Sequence, residues 1–167
     1  MKNNLALIGF MGSGKTVAAK RLGELLERPV ISTDQLVEER AGSKISYIFE
    51  RFGENYFRKI ERDIITEVAK QNHVIIDCGG GVAIDPHNLT QLKKKSVLIY
   101  LAASPQVIYD RVKNDTHRPL LQSPDPKLKI KELLKARELS YKKCDYTIDT
   151  DGKTNEQVCD EILKLIS

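Results

Sequence analysis

Between the apolar run LALIG (5–9) and the amphipathic stretch KTVAAKRLGELLE (15–27) lies GFMGSGKT, Gly9 to Thr16. The pattern is G-x-x-x-x-G-K-T, and few octapeptides restrict a fold as strongly. Its glycines let backbone N–H groups curl around phosphate oxygens, its lysine reaches the β- and γ-phosphates, and its hydroxyl binds Mg²⁺. A helix starting near Lys15 turns its positive end toward the same anion. Such a loop needs a strand that ends at it and a helix that begins at it, so the chain is α/β. The nucleotide contacts expected from this stretch are Gly12, Ser13, Gly14, Lys15, Thr16 and the adjoining Val17.

The rest of the chain repeats that alternation. PVIS (29–32), VIID (74–77), VLIYLA (97–102) and YTID (146–149) read as further strands. Helical spacing predicts helices over 34–42, with Thr33 as N-cap and Gly42 as C-terminal stop, and over 46–71 with a break near Gly53. More helices are expected near 86–95, 104–113, 126–142 and 154–166. A βα alternation predicts a mainly parallel sheet with right-handed crossovers and helices on both faces. One segment breaks the rhythm: NDTHRPLLQSPDP (114–126) is polar, carries three of the six prolines and is too long for an ordinary connection. With 167 residues, no repeat and no linker, the expectation is one domain.

A phosphate loop serves switches, motors and kinases alike. No N-K-x-D guanine-reading motif is present, and the chain is shorter than most motor or transporter ATPases. A net charge of +4 is too mild to point to nucleic acid and suits a chain that handles small anions. Lys93, Lys94 and Lys95 read as a solvated helix end. Cys78, Cys144 and Cys159 have no CxxC spacing, and His73, His87 and His117 form no ligand pattern, so free thiols in a reducing cytosol are expected. No run reaches 18 apolar residues, so no membrane span is expected, and the N-terminal apolar run breaks at GSGK, which argues against an export signal.

A small-molecule kinase also needs an acceptor pocket, cations to hold the acceptor and a lid against water. STD (32–34) follows the second strand, at the sheet edge where open α/β folds bind ligands. Asp34 there can accept a substrate hydroxyl proton, or simply be a first-turn helix acid. Arg58 in GENYFRKIE and Arg137 in KARELSY read, taken alone, as surface arginines. Arg118, which opens RPLL in the irregular segment, is placed to swing over a γ-phosphate or to stay a mobile surface residue. IIDCGGGVA (75–83) removes three side chains directly after a strand, so something must approach that backbone closely.

Read in order, GFMGSGKT, STD, GENYFRKIE, DCGGG, RPLL and KARELSY closely resemble the shikimate kinase family over essentially the whole chain. The resemblance implies a three-layer P-loop NTPase fold of the nucleoside-monophosphate-kinase type. Its five-stranded parallel sheet has the order 2-3-1-4-5, with a shikimate-binding helical segment over about 34–62 and a lid over about 112–125. It implies transfer of the γ-phosphoryl group of ATP to the 3-hydroxyl of shikimate, with Mg²⁺, in a cytoplasmic monomer. Under it, Asp34 holds the shikimate hydroxyls and helps deprotonate one. Arg58 and Arg137 grip the carboxylate, Arg118 closes with the lid, and Arg111 lies against adenine. Lys15 and Arg118 serve catalysis with Asp34. Gly79, Gly80 and Gly81 let the acceptor ring lie on the backbone, where a Cβ would fill its space. A kinase for another acceptor, such as gluconate or a nucleoside monophosphate, and a non-catalytic nucleotide-binding paralogue remain open.

The chain departs from the family pattern in two places. Ser32 stands where relatives carry the first aspartate of Asp-x-Asp, and Asp77 where they often carry a hydroxyl, so the metal-side carboxylate is expected to have moved from 32 to 77. Asp77 would then meet Mg²⁺ through water beside Thr16, with Ser32 an outer neighbour or simply exchanged, and the bland alternative is that Asp77 caps a backbone group. In DTDGKTNEQ (149–157), Asn155 takes the place of a proline common in the adenine-binding loop.

Overall fold

The structure, a computed structural model, describes residues 2–115 and 122–167. Five strands, β1 (Asn4–Ile8), β2 (Val30–Ser32), β3 (Ile75–Asp77), β4 (Ser96–Ala102) and β5 (Tyr146–Asp149), form one sheet in the order β2-β3-β1-β4-β5. Every pairing is parallel. The central strand β1 is buried along its whole length, which is why NLALI is nearly continuous in apolar residues. Its side chains alternate between two cores. Leu5 and Leu7 pack with Ala18, Leu22 and Ile162, while Ala6 and Ile8 pack with Ile64, Leu92 and Ile108.

The first core is closed by α1 (Lys15–Leu26) and α8 (Asn155–Ile166). The second is closed by α4 (Glu54–Val68), α5 (Pro86–Lys93), α6 (Pro105–Val112) and α7 (Pro126–Tyr141), with α2 (Thr33–Ala41) and α3 (Ile45–Phe52) beside them. The result is the three-layer parallel arrangement expected from the alternation. Helix starts follow local chemistry. Asp85, Ser104 and Asp125 each accept a hydrogen bond from the first turn, with proline at the next position. Thr154 and Gln157 form a reciprocal capping box on α8.

One cap differs from expectation. Ser32, not Thr33, caps α2: Ser32 is extended, and its hydroxyl accepts from the Gln35 N–H. Thr33 is the first helical residue and fully buried, and its Oγ1 accepts from the Gly79 N–H at 2.9 Å. A side chain turned inward to bond a neighbouring strand's loop cannot also turn back along its own helix. Gly42 stops α2 in the left-handed region (φ 62°), and Gly53 (φ 82°) separates α3 from α4. Helix α6 ends at Val112 and α7 starts after the Asp125 cap; residues 116–121 of the polar segment between them lie outside the described residues.

Candidate active site

Strands β2, β3 and β1 end side by side, and the phosphate loop leaves β1, the central strand of the sheet. Gly14 sits at the N-cap of α1 with φ 92°, and a Cβ there would meet nothing within 4 Å, so the backbone conformation alone calls for glycine. Lys15 is buried, and its Nζ donates to the carbonyls of Gly9 and Phe10 at 2.8 and 2.9 Å. Gly12, Gly14, Lys15, Thr16 and the half-exposed Val17 line a cavity of ≈ 310 Å³. Ser13 is buried, and its hydroxyl has no hydrogen-bond partner among the described residues.

Asp77 and Ser32 face this cavity together, because the β2–β3 register makes them partners at the strand ends. The Thr16 hydroxyl donates to Asp77 Oδ2 at 2.7 Å. Burial raises the Asp77 carboxyl above its ordinary range, against the opposing pull of the Thr16 hydroxyl and of Lys15. Arg111 donates from Nη1 to the Gly12 carbonyl at 2.9 Å, which puts its guanidinium at the loop. Asn155 is the first residue of α8, and neither it nor Arg111 lines the cavity. Arg118 lies outside the described residues.

A second cavity of ≈ 750 Å³ opens between α2, α4, α7 and the loop after β3. Asp34, Arg58, Gly80, Gly81 and Arg137 line it, so all but one of the expected acceptor residues come together there, and Gly79 lines the neighbouring phosphate cavity. The Arg58 guanidinium is held by its own helix, with Nη1 2.8 Å from Glu61 Oε1 and Nη2 3.2 Å from Glu54 Oε1. Arg137 is only 6% exposed and lies over the Phe10 ring at 5.4 Å. Its Nη1 has no hydrogen-bond partner among the described residues. A buried guanidinium with an unsatisfied donor is a site prepared for an anion.

Glu61 belongs to the same cavity, and the sequence reading missed it. It is 1% exposed, and its second oxygen, Oε2, has no hydrogen-bond partner among the described residues. Three residues after Arg58 on a charged helix, it looks in the sequence like half of a surface ion pair. Burial pushes its carboxyl up to about 6, Arg58 pulling the other way and Asp34 adding to the rise.

The triple glycine is also crowded from the protein's own side. None of Gly79, Gly80 and Gly81 is among the glycines with positive φ, so they are not needed for a turn. A Cβ on Gly79 would overlap Asp34 Oδ1 and stand 3.4 Å from Glu61 Oε2. One on Gly80 would stand 3.2 Å from the Met11 N of the phosphate loop. One on Gly81 would stand 2.6 Å from the Arg58 Cζ. What presses against this backbone is the phosphate loop and the side chains around the acceptor cavity, so a Cβ would displace those groups. Tyr141 fixes the turn from behind, its hydroxyl donating to the Gly80 carbonyl at 2.6 Å.

The two cavities meet. Met11, Asp34 and Gly80 line both, so a carboxylate stands where the phosphate cavity opens into a chamber carrying two arginines. Fold and site together define a phosphate-loop kinase acting on a small molecule. A family model described as shikimate kinase matches residues 11–167. A shikimate kinase from Caldanaerobacter subterraneus subsp. tengcongensis is 43% identical over 161 residues, covering 96% of this chain and 94% of that protein. One from Thermodesulfovibrio yellowstonii is 43% identical over 161 residues, with 96% and 93% covered. A solved shikimate kinase from Acinetobacter baumannii, in complex with shikimate, has a TM-score of 0.95 at 34% identity, with 98% of this chain and 92% of that one covered. The chain belongs to the shikimate kinase family and is a kinase that uses ATP.

Proposed function

We propose that this chain transfers the γ-phosphoryl group of ATP to the 3-hydroxyl of shikimate, giving shikimate 3-phosphate for aromatic amino acid biosynthesis. The observation that carries the reading is the position of Asp34, which lines both cavities. An acceptor in the larger chamber and a triphosphate on the loop would have their reacting atoms meet beside that carboxylate. The buried Arg137, whose Nη1 has no hydrogen-bond partner among the described residues, and Arg58 suit the acceptor's carboxylate, since a planar fork bonds two oxygens at once.

In this reading Asp34 orients the attacking hydroxyl and accepts its proton. Lys15 leaves the loop carbonyls for the β- and γ-phosphates, and loop N–H groups from Gly12 to Thr16 cradle the same oxygens. Gly79, Gly80 and Gly81 keep the floor low enough for Asp34 and Arg58 to reach the acceptor. Arg118 closes over the phosphates, and the segment near 112–125 excludes water. Arg111, Val17 and Asn155 border the nucleotide. Thr16 and Asp77 present hard oxygen donors beside the phosphate site, a set that fits Mg²⁺, which keeps several waters and takes few protein ligands. Bound there, with Asp77 reached through water and Ser32 outside, Mg²⁺ would neutralise charge on the transferring phosphates.

No described helix is long and apolar enough to cross a membrane, and the three cysteines are free, as suits an enzyme of a reducing compartment working on small molecules; the family resemblance adds the expectation of a cytoplasmic monomer. The test is ADP release with Mg·ATP alone and with shikimate, quinate or gluconate. Release that depends on shikimate, at about 1–100 per second, is expected. Stimulation by gluconate instead would transfer the reading to another acceptor, and bound ATP with no stimulation would point to a non-catalytic paralogue.

A further inference from the structure

Glu61 takes no part in the chemistry outlined above, yet it is the most deeply buried carboxylate in the acceptor cavity. One oxygen bonds Arg58 Nη1 at 2.8 Å, and the other is buried without a hydrogen-bond partner among the described residues. A buried carboxylate with one oxygen hydrogen-bonded to a cation and the other left without a partner is readily destabilised by further negative charge, even with Arg137 also acting on it. The acceptor cavity supplies such charge in excess. Around Glu61 and along the cavity stand Asp34 and Glu38 from α2, Glu54 and Arg58 from α4, Arg137 from α7, and Lys44 and Asp115 at the mouth. The Cys78 thiol, itself raised far above its ordinary range by burial, is beside them and neutral. Five carboxylates therefore face three cations before any acceptor enters.

Resting on the reading that the acceptor carries a carboxylate, we propose that Glu61 takes up a proton from solvent as the acceptor binds, releasing Arg58 to hold the acceptor's carboxylate. Glu61 is thus a positioning residue for Arg58. Ionised, it holds the guanidinium on α4; neutral, it still accepts one hydrogen bond from Arg58 but no longer competes for its charge. The arriving anion and the loss of water around Glu61 both favour its neutral form. No bond to the substrate is made or broken: the carboxylate gains H⁺, and the acceptor's charge takes its place beside Arg58. In the free protein burial already pushes the Glu61 carboxyl up to about 6. A further rise of about one unit on binding corresponds to roughly a tenfold effect on affinity and to uptake of roughly half a proton near pH 6.5. Acceptor affinity therefore increases as pH falls from 8 toward 6, a range in which an ordinary carboxylic acid stays ionised.

The decisive experiment is calorimetric titration of shikimate into the full-length protein at pH 6.5, in two buffers with very different ionisation heats. Wild type should show roughly half a proton taken up per acceptor, with Kd rising about three- to tenfold between pH 6 and 8. Glu61→Gln imitates the neutral form and should bind with no proton uptake and a flat pH profile. In steady state the pH dependence should appear in KM for shikimate and not in kcat. Equal heats in the two buffers with wild type, or uptake that survives in Glu61→Gln, would overturn the proposal, and the wild-type comparison stands even if the variant does not fold. Shikimate-dependent ADP release separates the two readings: if it is absent the acceptor assignment fails, and if it is present without proton uptake only the role of Glu61 fails.

Discussion

Replacing Gly81 by alanine adds one carbon, and the structure says where that carbon goes. Its nearest neighbours are the three end atoms of Arg58, with Cζ at 2.6 Å. Carbon contacts settle at about 3.5–4.0 Å, so the guanidinium must retreat by roughly 1 Å. Backbone strain plays no part, because Gly81 has φ −102° and ψ 0°, angles open to alanine. Nor does the core suffer, since what moves is the free end of a long side chain. The retreat acts on Arg58 where it faces the acceptor and where it meets Glu61 at 2.8 Å. A displacement of about 1 Å in a substrate-positioning group costs on the order of a hundredfold, or about 2.7 kcal/mol. Gly81→Ala should therefore keep the wild-type melting temperature within a few degrees and lose about a hundredfold in kcat/KM for shikimate. Most of the loss should lie in KM for the acceptor, with KM for ATP unchanged. Gly80→Ala provides the contrast: its Cβ would press on the Met11 N at 3.2 Å, so its penalty should fall on ATP. The measurements are steady-state kinetics against each substrate and a thermal melt. A Gly81→Ala enzyme with near-wild-type kcat/KM for shikimate would refute the seating of Arg58 on this glycine.

The exchange between positions 32 and 77 separates function from stability. Asp77→Asn should lower Mg²⁺-dependent turnover on the order of a hundredfold and weaken the Mg²⁺ titration, whereas Ser32→Ala should leave turnover within about threefold and cost about 1 kcal/mol through the lost cap of α2. Small and equal effects on turnover would remove Asp77 from the metal side. Glu61 also has a signature in stability: its folded carboxyl is raised from the ordinary 4.5 to about 6, so it adds stability in full below 4.5 and loses that contribution as pH climbs through 6. Chemical unfolding should show wild type losing up to about 2 kcal/mol relative to Glu61→Gln across that window and running parallel to it above; no relative change would mean that burial does not disfavour the charged form of Glu61.

Much of the architecture can be read locally. GFMGSGKT had to join a strand to a helix, and it joins β1 to α1. The five apolar runs became the five strands, and the helix starts at Pro86, Pro105 and Pro126 follow from a capping side chain and a proline with suitable φ. These features depend on neighbours within a turn of helix or along one strand, and such distances are already set in the primary structure. The family pattern carried the sheet order and the candidate residues of both cavities.

The roles inside the site depended on contacts across the chain. Arg137 has the sequence context of a surface helix residue, and only the packing of α7 over Phe10 makes it a buried cation. Glu61 has the spacing of an exposed ion pair, and only the convergence of α2, α4 and the turn after β3 buries its second oxygen without a hydrogen-bond partner among the described residues. Thr33 reads as the cap in the sequence, until the Gly79 N–H claims its hydroxyl and the capping falls to Ser32. Ser32 and Asp77 stand 45 residues apart in the chain, and the parallel β2–β3 register alone makes them neighbours at the phosphate loop. Sequence by itself determined the strands, most of the caps and the phosphate loop, because hydrophobic period and turn chemistry act at short range. Burial, charge pairing and the reason for three glycines were decided by the tertiary structure, because each is set by which distant side chain arrives on the other side of the backbone.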